Sequence, residues 1–212
     1  FMDPIKLLVF VGTEGIYHDH PAQGRFLTAL LNKDARIQAE LGRDYEIMAD
    51  ALKAYDATLF FTDVGHFTEG QERGLLNFIE KGGGFFALHT ADASFRENEG
   101  YHRMLNAFFA GHSPYMDFAV DVVDAAHPIT ADLERFEVTD ELHYLTHNPS
   151  RARHLMSAYD ETRDETHVMA FTHDCGNGRV FFFALGHDDP TMRHPTFQEV
   201  LRRGSLWVGK RL

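Results

Sequence analysis

The chain has 212 residues, of which 44% are hydrophobic and 25% charged, and its formal net charge at pH 7 is −12. This composition is typical of a globular protein, and we expect one domain over residues 2–212. The acidic balance disfavours binding to nucleic acid or to an anionic membrane surface, since both need clustered lysine and arginine.

The sequence also carries signals about location. No apolar stretch reaches the roughly 20 residues needed to span a bilayer. We read Phe1 as foreign to the native chain, and if Met2 is the native start we expect no signal peptide before the first strand. The single cysteine, Cys175, rules out an internal disulfide framework. We therefore expect a cytoplasmic protein.

The first half of the chain alternates predicted strands and helices. Three short apolar runs predict parallel strands buried on both faces: Ile5–Val11, Ala57–Thr62 and Gly84–Leu88. Apolar residues at helical spacing follow the first two runs, and residues 101–109 predict a short helix after the third. Residues 35–41 fit either a strand or an extension of the first helix.

The second half is mainly predicted as strands. Period-two alternation begins near residue 115 and predicts strands at 118–123, 137–139, 142–145 and 155–158. Two runs, at 167–172 and 180–185, flank a Cys-Gly-Asn-Gly turn, which predicts an antiparallel hairpin. A helix at 197–206 closes the chain. Strands alternating with helices, then antiparallel strands, predict a three-layer α/β fold with a mostly parallel sheet.

Fourteen histidines are the unusual feature, and several directly follow predicted strands. Ligands of open α/β sheets bind at the carboxyl ends of the strands, so residues there are candidates for a functional site. The alternative is a set of separate structural histidines. The candidates at these ends are Glu14, Tyr17, His18, His20, Asp63, His66, His89, Asp92, His187, Asp188 and Asp189.

Four of these histidines suggest specific roles. His89 ends a buried strand, where it is either functional or a core histidine bonded to backbone carbonyls. His187 is followed two residues later by Asp189, a carboxylate able to orient its imidazole. His18 and His20 would lie on the same side of an extended segment and could share a metal ion.

Several common catalytic motifs are missing from the sequence. There is no G-x-S-x-G elbow, no phosphate loop and no G-x-G-x-x-G after a strand, so we expect no nucleotide cofactor. Cys175 falls in the predicted hairpin turn, away from the strand ends, which disfavours a cysteine nucleophile.

Long segments of the sequence resemble the ThuA-like family, which is named for a trehalose-utilisation protein. They include GGGFFALHTADASF, AGHSPYMDF, FEVTDELHYL and GNGRVFFFALGHDDPTMRHPTFQEVLRRGSLWV, and the resemblance runs from Ile5 to Trp207. It implies a flavodoxin-like sandwich similar to class I glutamine amidotransferases. In those enzymes a cysteine stands where this chain has His89, and a His-x-Glu pair corresponds to His187-x-Asp189. The resemblance therefore implies that glutaminase chemistry is lost.

Two mechanisms fit a site rich in imidazole and carboxylate. In the first, a divalent metal, preferably Zn²⁺, is bound by His89, His187 and one or more of His18, His20 and His112, and it activates a carbonyl or water. In the second, His89 and His187 act as general base and acid without a metal, and Asp189 fixes one ring. A sugar ligand would be bound by Glu14, Tyr17, Asp92, Tyr115 and Glu141.

The family name implies carbohydrate catabolism, of trehalose or a related disaccharide or keto-sugar. Our first hypothesis is an enzyme with hydrolase, lyase or isomerase chemistry. The alternative is a non-catalytic sugar-binding or assembly module, and a third hypothesis is a metal-binding or stress protein. Apolar surface and an exposed edge in the second half are compatible with a homo-oligomer.

Overall fold

The computed structural model describes residues 3–13 and 15–212. Within them, nine strands form one sheet in the order β2-β1-β3-β4-β11-β10-β9-β6-β7, and β5 pairs with β8 in a second, two-stranded sheet. The strands are β1 (Ile5–Phe10), β2 (Ile37–Gly42), β3 (Ala57–Phe60), β4 (Gly84–Leu88), β5 (Phe108–His112), β6 (Met116–Val122), β7 (Phe136–Asp140), β8 (His143–Thr146), β9 (Arg153–Asp160), β10 (Glu165–Cys175) and β11 (Gly178–Phe183).

Strand direction confirms the predicted sheet. The five neighbours from β2 to β11 pair in parallel, and the pairs beyond β11 are antiparallel. Seven of the nine strands in the described main sheet consequently run in one direction. The predicted hairpin is β10–β11, closed by Gly176 with a left-handed φ of 59°. Residues 35–41, which left two possibilities open, mostly form β2.

Helices cover both faces of the sheet. They are α1 (His20–Leu31), α2 (Ile47–Asp50), α3 (Glu69–Glu80), α4 (Glu99–Leu105), α5 (Asp189–Arg193) and α6 (Pro195–Val208). Helix α1 packs with α6, whereas α3 packs with α2 and α4. The predicted helix at 101–109 ends earlier, because Asn106 adopts a left-handed backbone and β5 begins at Phe108. No helix among the described residues is long and apolar enough to cross a membrane.

Phenylalanines of the central strands fill the core between these layers. On one face Phe86 of β4 packs on Phe181 of β11, with ring centroids 4.6 Å apart. A Cβ at Gly204 of α6 would lie 2.4 Å from the ring of Phe181, so the glycine allows α6 to approach this face closely. On the other face Phe85 packs on Tyr101 of α4. Alternation along β4 therefore supplies both halves of the core.

Buried His127 should make the protein sensitive to acid. Its Nδ1 accepts a hydrogen bond from the backbone N–H of Ile129, and its ring packs on Trp207. Burial, followed by Arg153, lowers the pKa of His127 to about 4. The unfolded state therefore binds more protons than the folded state between this pKa and about 6.5, so the free energy of unfolding falls as the pH drops through that window.

We expect His127→Gln, which keeps a hydrogen-bond acceptor for Ile129, to reduce the fall in the free energy of unfolding at acid pH. Urea unfolding at several pH values between 4 and 7 measures it. His66→Gln, at an exposed histidine, serves as the matched control and should leave the pH dependence unchanged. An equal slope in the unchanged protein and His127→Gln would contradict the assignment.

Candidate active site

His89 occupies a strained turn at the end of β4. Its backbone φ is 47°, a left-handed value that is uncommon outside glycine. The residue opens a single 3₁₀ turn that runs to Asp92, and its side chain is buried. Such strain is concentrated at functional sites, where the surrounding structure must hold it. Here the neighbouring strands β3 and β11 hold the end of β4 in the middle of the sheet.

Among the described residues, one nitrogen of the His89 imidazole has a hydrogen-bond partner and the other has none. Nδ1 lies 2.7 Å from the carbonyl oxygen of Ala184, which follows the register partner of Leu88 on β11. A carbonyl can only accept, so Nδ1 carries the proton. Nε2 is buried and makes no hydrogen bond with any residue that the structure describes. Such an orphaned lone pair in the interior is costly unless something binds to it.

Two further histidines surround His89. His18 lies in the loop before α1, and its ring centroid is 5.2 Å from that of His89. His187 follows β11, and its ring centroid is 5.7 Å from that of His89. The ring centroids of His18 and His187 are 5.1 Å apart. One ligand nitrogen from each of the three residues lies within 4.8 Å of the others. Three segments remote in sequence thus meet above the carboxyl end of the sheet.

Backbone carbonyls select the tautomer of two of these rings. Nδ1 of His18 lies 3.1 Å from the carbonyl oxygen of His187, as Nδ1 of His89 does from Ala184. Burial, followed by His187, lowers the pKa of His18 to about 4, and burial lowers the pKa of His89 well below its ordinary value. Both rings are therefore neutral at pH 7, with Nε2 available as a metal ligand, and carbonyl partners on Nδ1 are typical of metal-binding histidines.

Glu141 is the carboxylate that contacts His187. Its Oε2 lies 3.3 Å from Nδ1 of His187, an ion-pair contact without the alignment of a hydrogen bond, and its Oε1 lies 3.4 Å from Nδ1 of His112. The contact with Glu141 raises the pKa of His187. Burial tends to raise the pKa of Glu141, but His187 outweighs it and the net direction is down. Glu141 is thus ionised between two imidazoles.

The structure does not bring Asp189 to His187. Asp189 is the first residue of α5, and its largely exposed carboxylate pairs with Arg193 one turn later, at 3.2 Å. Asp188 is the N-cap of the same helix and accepts the backbone N–H of Thr191. The start of α5 thus commits Asp189 to Arg193 and Asp188 to the helix cap, which the His-x-Asp spacing alone could not reveal.

Asp140 joins the two segments that carry Glu141 and His187, and sequence reasoning missed it. Its buried carboxylate accepts the backbone N–H of Glu141 at 2.7 Å and that of Gly186 at 2.9 Å. Gly186 has a φ of 130°, which favours glycine. The only signal in the sequence was the acidic pair Asp140-Glu141, which gives no hint that one side chain is structural and the other faces the cavity.

His143, a weaker candidate in the sequence through its i, i+2 spacing from Glu141, packs against the ring of His89. Its Nδ1 is 2.9 Å from Oδ2 of Asp92, both side chains are buried, and its ring is 4.5 Å from that of His89. Burial works to lower the pKa of His143, but Asp92 outweighs it and raises the pKa. Asp92, which was predicted to bind substrate, is thus paired with the imidazole of His143. His89, Glu141 and His143 form a second group of ligand atoms within 4.8 Å.

The other predicted site residues lie around these groups. His20 is buried, with Nε2 3.7 Å from Asp63, and belongs to neither ligand group among the described residues. His112 contacts Glu141 but is likewise outside the ligand groups. Tyr17 is exposed and lines the cavity, and Tyr115 packs against His187. Glu14 lies outside the described residues.

A cavity of about 930 Å³ opens above the histidines. Its volume is in the range of small-molecule sites. Its polar lining includes His18, Glu141, His143 and His187, and its apolar lining includes Tyr45, Phe95 and Phe109.

The comparisons with known proteins agree with this architecture. The profile of a family described as ThuA, trehalose utilisation, matches residues 6–208. No curated protein matches the chain. Among solved structures, a putative ThuA-like protein from Parabacteroides merdae is 22% identical, with a TM-score of 0.85 over 97% of this chain and 90% of that one. Another, from Bacteroides uniformis, is 18% identical, with a TM-score of 0.82 over 97% and 91%.

A more distant structure shares the fold over the whole chain. A cytoplasmic protein of Salmonella typhimurium LT2 is 13% identical, with a TM-score of 0.68 and coverage of 98% of both chains. At these identities the solved structures establish the fold alone, and the family assignment depends on the profile match.

Proposed function

We propose that this chain, which belongs to the ThuA family described as trehalose utilisation, is a metal-dependent enzyme of carbohydrate catabolism. One observation carries the proposal: His18, His89 and His187 place three ligand nitrogens within 4.8 Å at the carboxyl end of the sheet. The buried, unpartnered Nε2 of His89 fits a bound cation. A scaffold or assembly module would have no need for such an atom in its interior.

The first group of ligand atoms is preferred over the second. His18, His89 and His187 are three imidazoles, a set that suits Zn²⁺ with a fourth position left open. The second group includes His143, whose pKa Asp92 raises, and this favours the protonated imidazole, which cannot bind a metal. His89 has only one free nitrogen, so the two groups cannot both be filled through it. We therefore place one divalent ion per chain, held by the first group.

The proposed chemistry is proton transfer on a sugar. A divalent ion here would polarise a carbonyl or hydroxyl oxygen of the substrate. Glu141 lines the cavity and is ionised, so it is the general base that takes a proton from water, from a hydroxyl or from the carbon beside a carbonyl. His143, held by Asp92, supplies a hydrogen-bond donor at the cavity wall. These roles serve hydrolase, lyase and isomerase reactions alike.

Two of the sequence-predicted residues receive other roles in this proposal, and a third receives none. His112 contacts Glu141 and helps to orient it, while His20 supports the ring of His18 from behind. Asp189 has no role, because it pairs with Arg193 at the surface. That a sugar and a metal bind, and that the chain forms a homo-oligomer, remain predictions.

Metal content tests the proposal directly. Protein purified without chelator should contain about one divalent ion per chain by mass spectrometry, and His18→Ala should lose most of it, because one of three ligands is removed. His66→Ala is the matched control: it lines the same cavity but belongs to neither ligand group, and should keep the ion. Chains that hold no ion even after incubation with Zn²⁺ would rule the metal-dependent mechanism out.

A further inference from the structure

The mouth of the cavity exposes large apolar side chains. Ile16 is 70% exposed, Tyr17 75% and Tyr115 46%. The first two line the cavity, and the ring of Tyr115 lies 5.5 Å from that of His187. We call these three residues the mouth platform. Single exposed apolar residues are common, but several at the entrance of one cavity indicate an interaction surface.

The platform is held in place by specific contacts. The buried carboxylate of Asp63 accepts the backbone N–H groups of Ile16 at 3.1 Å and of Tyr17 at 2.9 Å. The hydroxyl of Tyr115 donates to Asp188, which also caps α5. A buried carboxylate thus holds the backbone of two residues whose side chains are exposed to solvent. This arrangement indicates that their position matters for something that binds there.

The floor and the mouth of the cavity differ in chemistry. The floor presents imidazoles and Glu141, which suit hydroxyl and carbonyl oxygens, whereas the mouth presents aromatic and aliphatic surface. Stacking of a ring on an exposed aromatic face is favourable because it removes apolar area from water. A cavity of about 930 Å³ also exceeds what one sugar ring requires. A ligand that fills both regions therefore has at least two rings.

We infer that the mouth platform is an outer subsite for the second ring of a glycoside, while the first sugar ring lies over His18 and His187, which line the cavity. The inference rests on the proposed function and specifies the residues that contact the outer ring of a disaccharide or an aryl glycoside. The outer ring is bound through its face and not through hydrogen bonds, so a second sugar and an aromatic aglycone are both accepted.

Two probes that differ only in the outer group test this inference. Titration calorimetry measures the dissociation constants of methyl glucoside and para-nitrophenyl glucoside with the metal-loaded protein. The unchanged protein should bind the nitrophenyl compound about tenfold more tightly, an advantage of about 1.4 kcal/mol. Tyr17→Ala and Tyr115→Ala should each erase most of this advantage and leave the methyl glucoside constant within about twofold.

The control variants separate stacking from other effects. Tyr159→Ala removes a tyrosine that is 47% exposed and outside the cavity, and should change neither constant. Tyr17→Phe and Tyr17→Trp keep an aromatic face and should keep the advantage. Equal losses for both probes in Tyr17→Ala, or no loss for either, would overturn the outer subsite while leaving the proposed function intact. If the unchanged protein binds neither glucoside, the sugar function itself fails, and the subsite with it.

Discussion

Replacing His89 with asparagine is expected to lower metal affinity by at least about 100-fold and to abolish conversion of the sugar, because it removes the central ligand of the proposed group. Asparagine tolerates the left-handed backbone at this position, so the variant isolates the imidazole from the strain of the turn. Metal content and calorimetric binding of Zn²⁺ measure the effect, and they need no knowledge of the substrate.

Stability provides the control for this variant. The ring of His89 makes one hydrogen bond and leaves one buried nitrogen unbonded, so its loss should change the melting temperature of the metal-free protein by only a few degrees. His89→Ala should behave in the same way. A large loss of stability in both variants, with metal binding preserved in the folded fraction, would show that His89 is a core residue and no ligand.

The second large effect concerns Glu141. Glu141→Gln keeps the size of the side chain but removes its charge, and we expect the rate constant for sugar conversion to fall by about 10²–10⁴-fold, the usual contribution of a general base. Bound metal should stay close to one ion per chain, since Glu141 is outside the preferred ligand group. Steady-state kinetics on the sugar that the unchanged protein converts, together with metal content, measure both effects.

Asp189→Asn is the matched control for Glu141→Gln. Both variants neutralise a carboxylate near His187 in the sequence or in space, but only Glu141 contacts the ring. The rate should therefore stay within about twofold in Asp189→Asn, as expected for an exposed ion pair with Arg193. If Asp189→Asn were the more damaging variant, the orienting carboxylate would be the one that the His-x-Asp spacing suggested.

The fold could be read from the sequence because its signals are local. The apolar runs of β1, β3 and β4 are continuous, as strands buried on both faces require, and the Gly-Asn-Gly turn marks the hairpin of β10 and β11. The prediction failed where a local pattern was ambiguous. Residues 101–109 have helical spacing, yet the left-handed Asn106 ends α4, and the remaining residues pair with β8.

The candidate site was readable only in part. His18, His89 and His187 could be nominated because each follows a predicted strand and parallel strands end at the same edge of a sheet. Glu141 was predicted to bind substrate and not to contact His187, because it follows β7, which is the edge strand of the sheet. The hydrogen bond from Gly186 to Asp140 joins this segment to the one that follows β11. His143 was only a weaker candidate, through its i, i+2 spacing from Glu141, because its partner Asp92 lies 51 residues earlier.

The sequence by itself determined the order of strands and helices and the histidines at strand ends, since these follow from periodicity and from the few residues around each strand. Only the tertiary structure decided which carboxylate contacts which imidazole. Hydrogen bonds to Ala184, Asp92 and Asp140 join segments far apart in the chain, and their directions depend on where the backbone turns. Asp189 is two residues from His187 and faces away, whereas Glu141 is remote in sequence and 3.3 Å away.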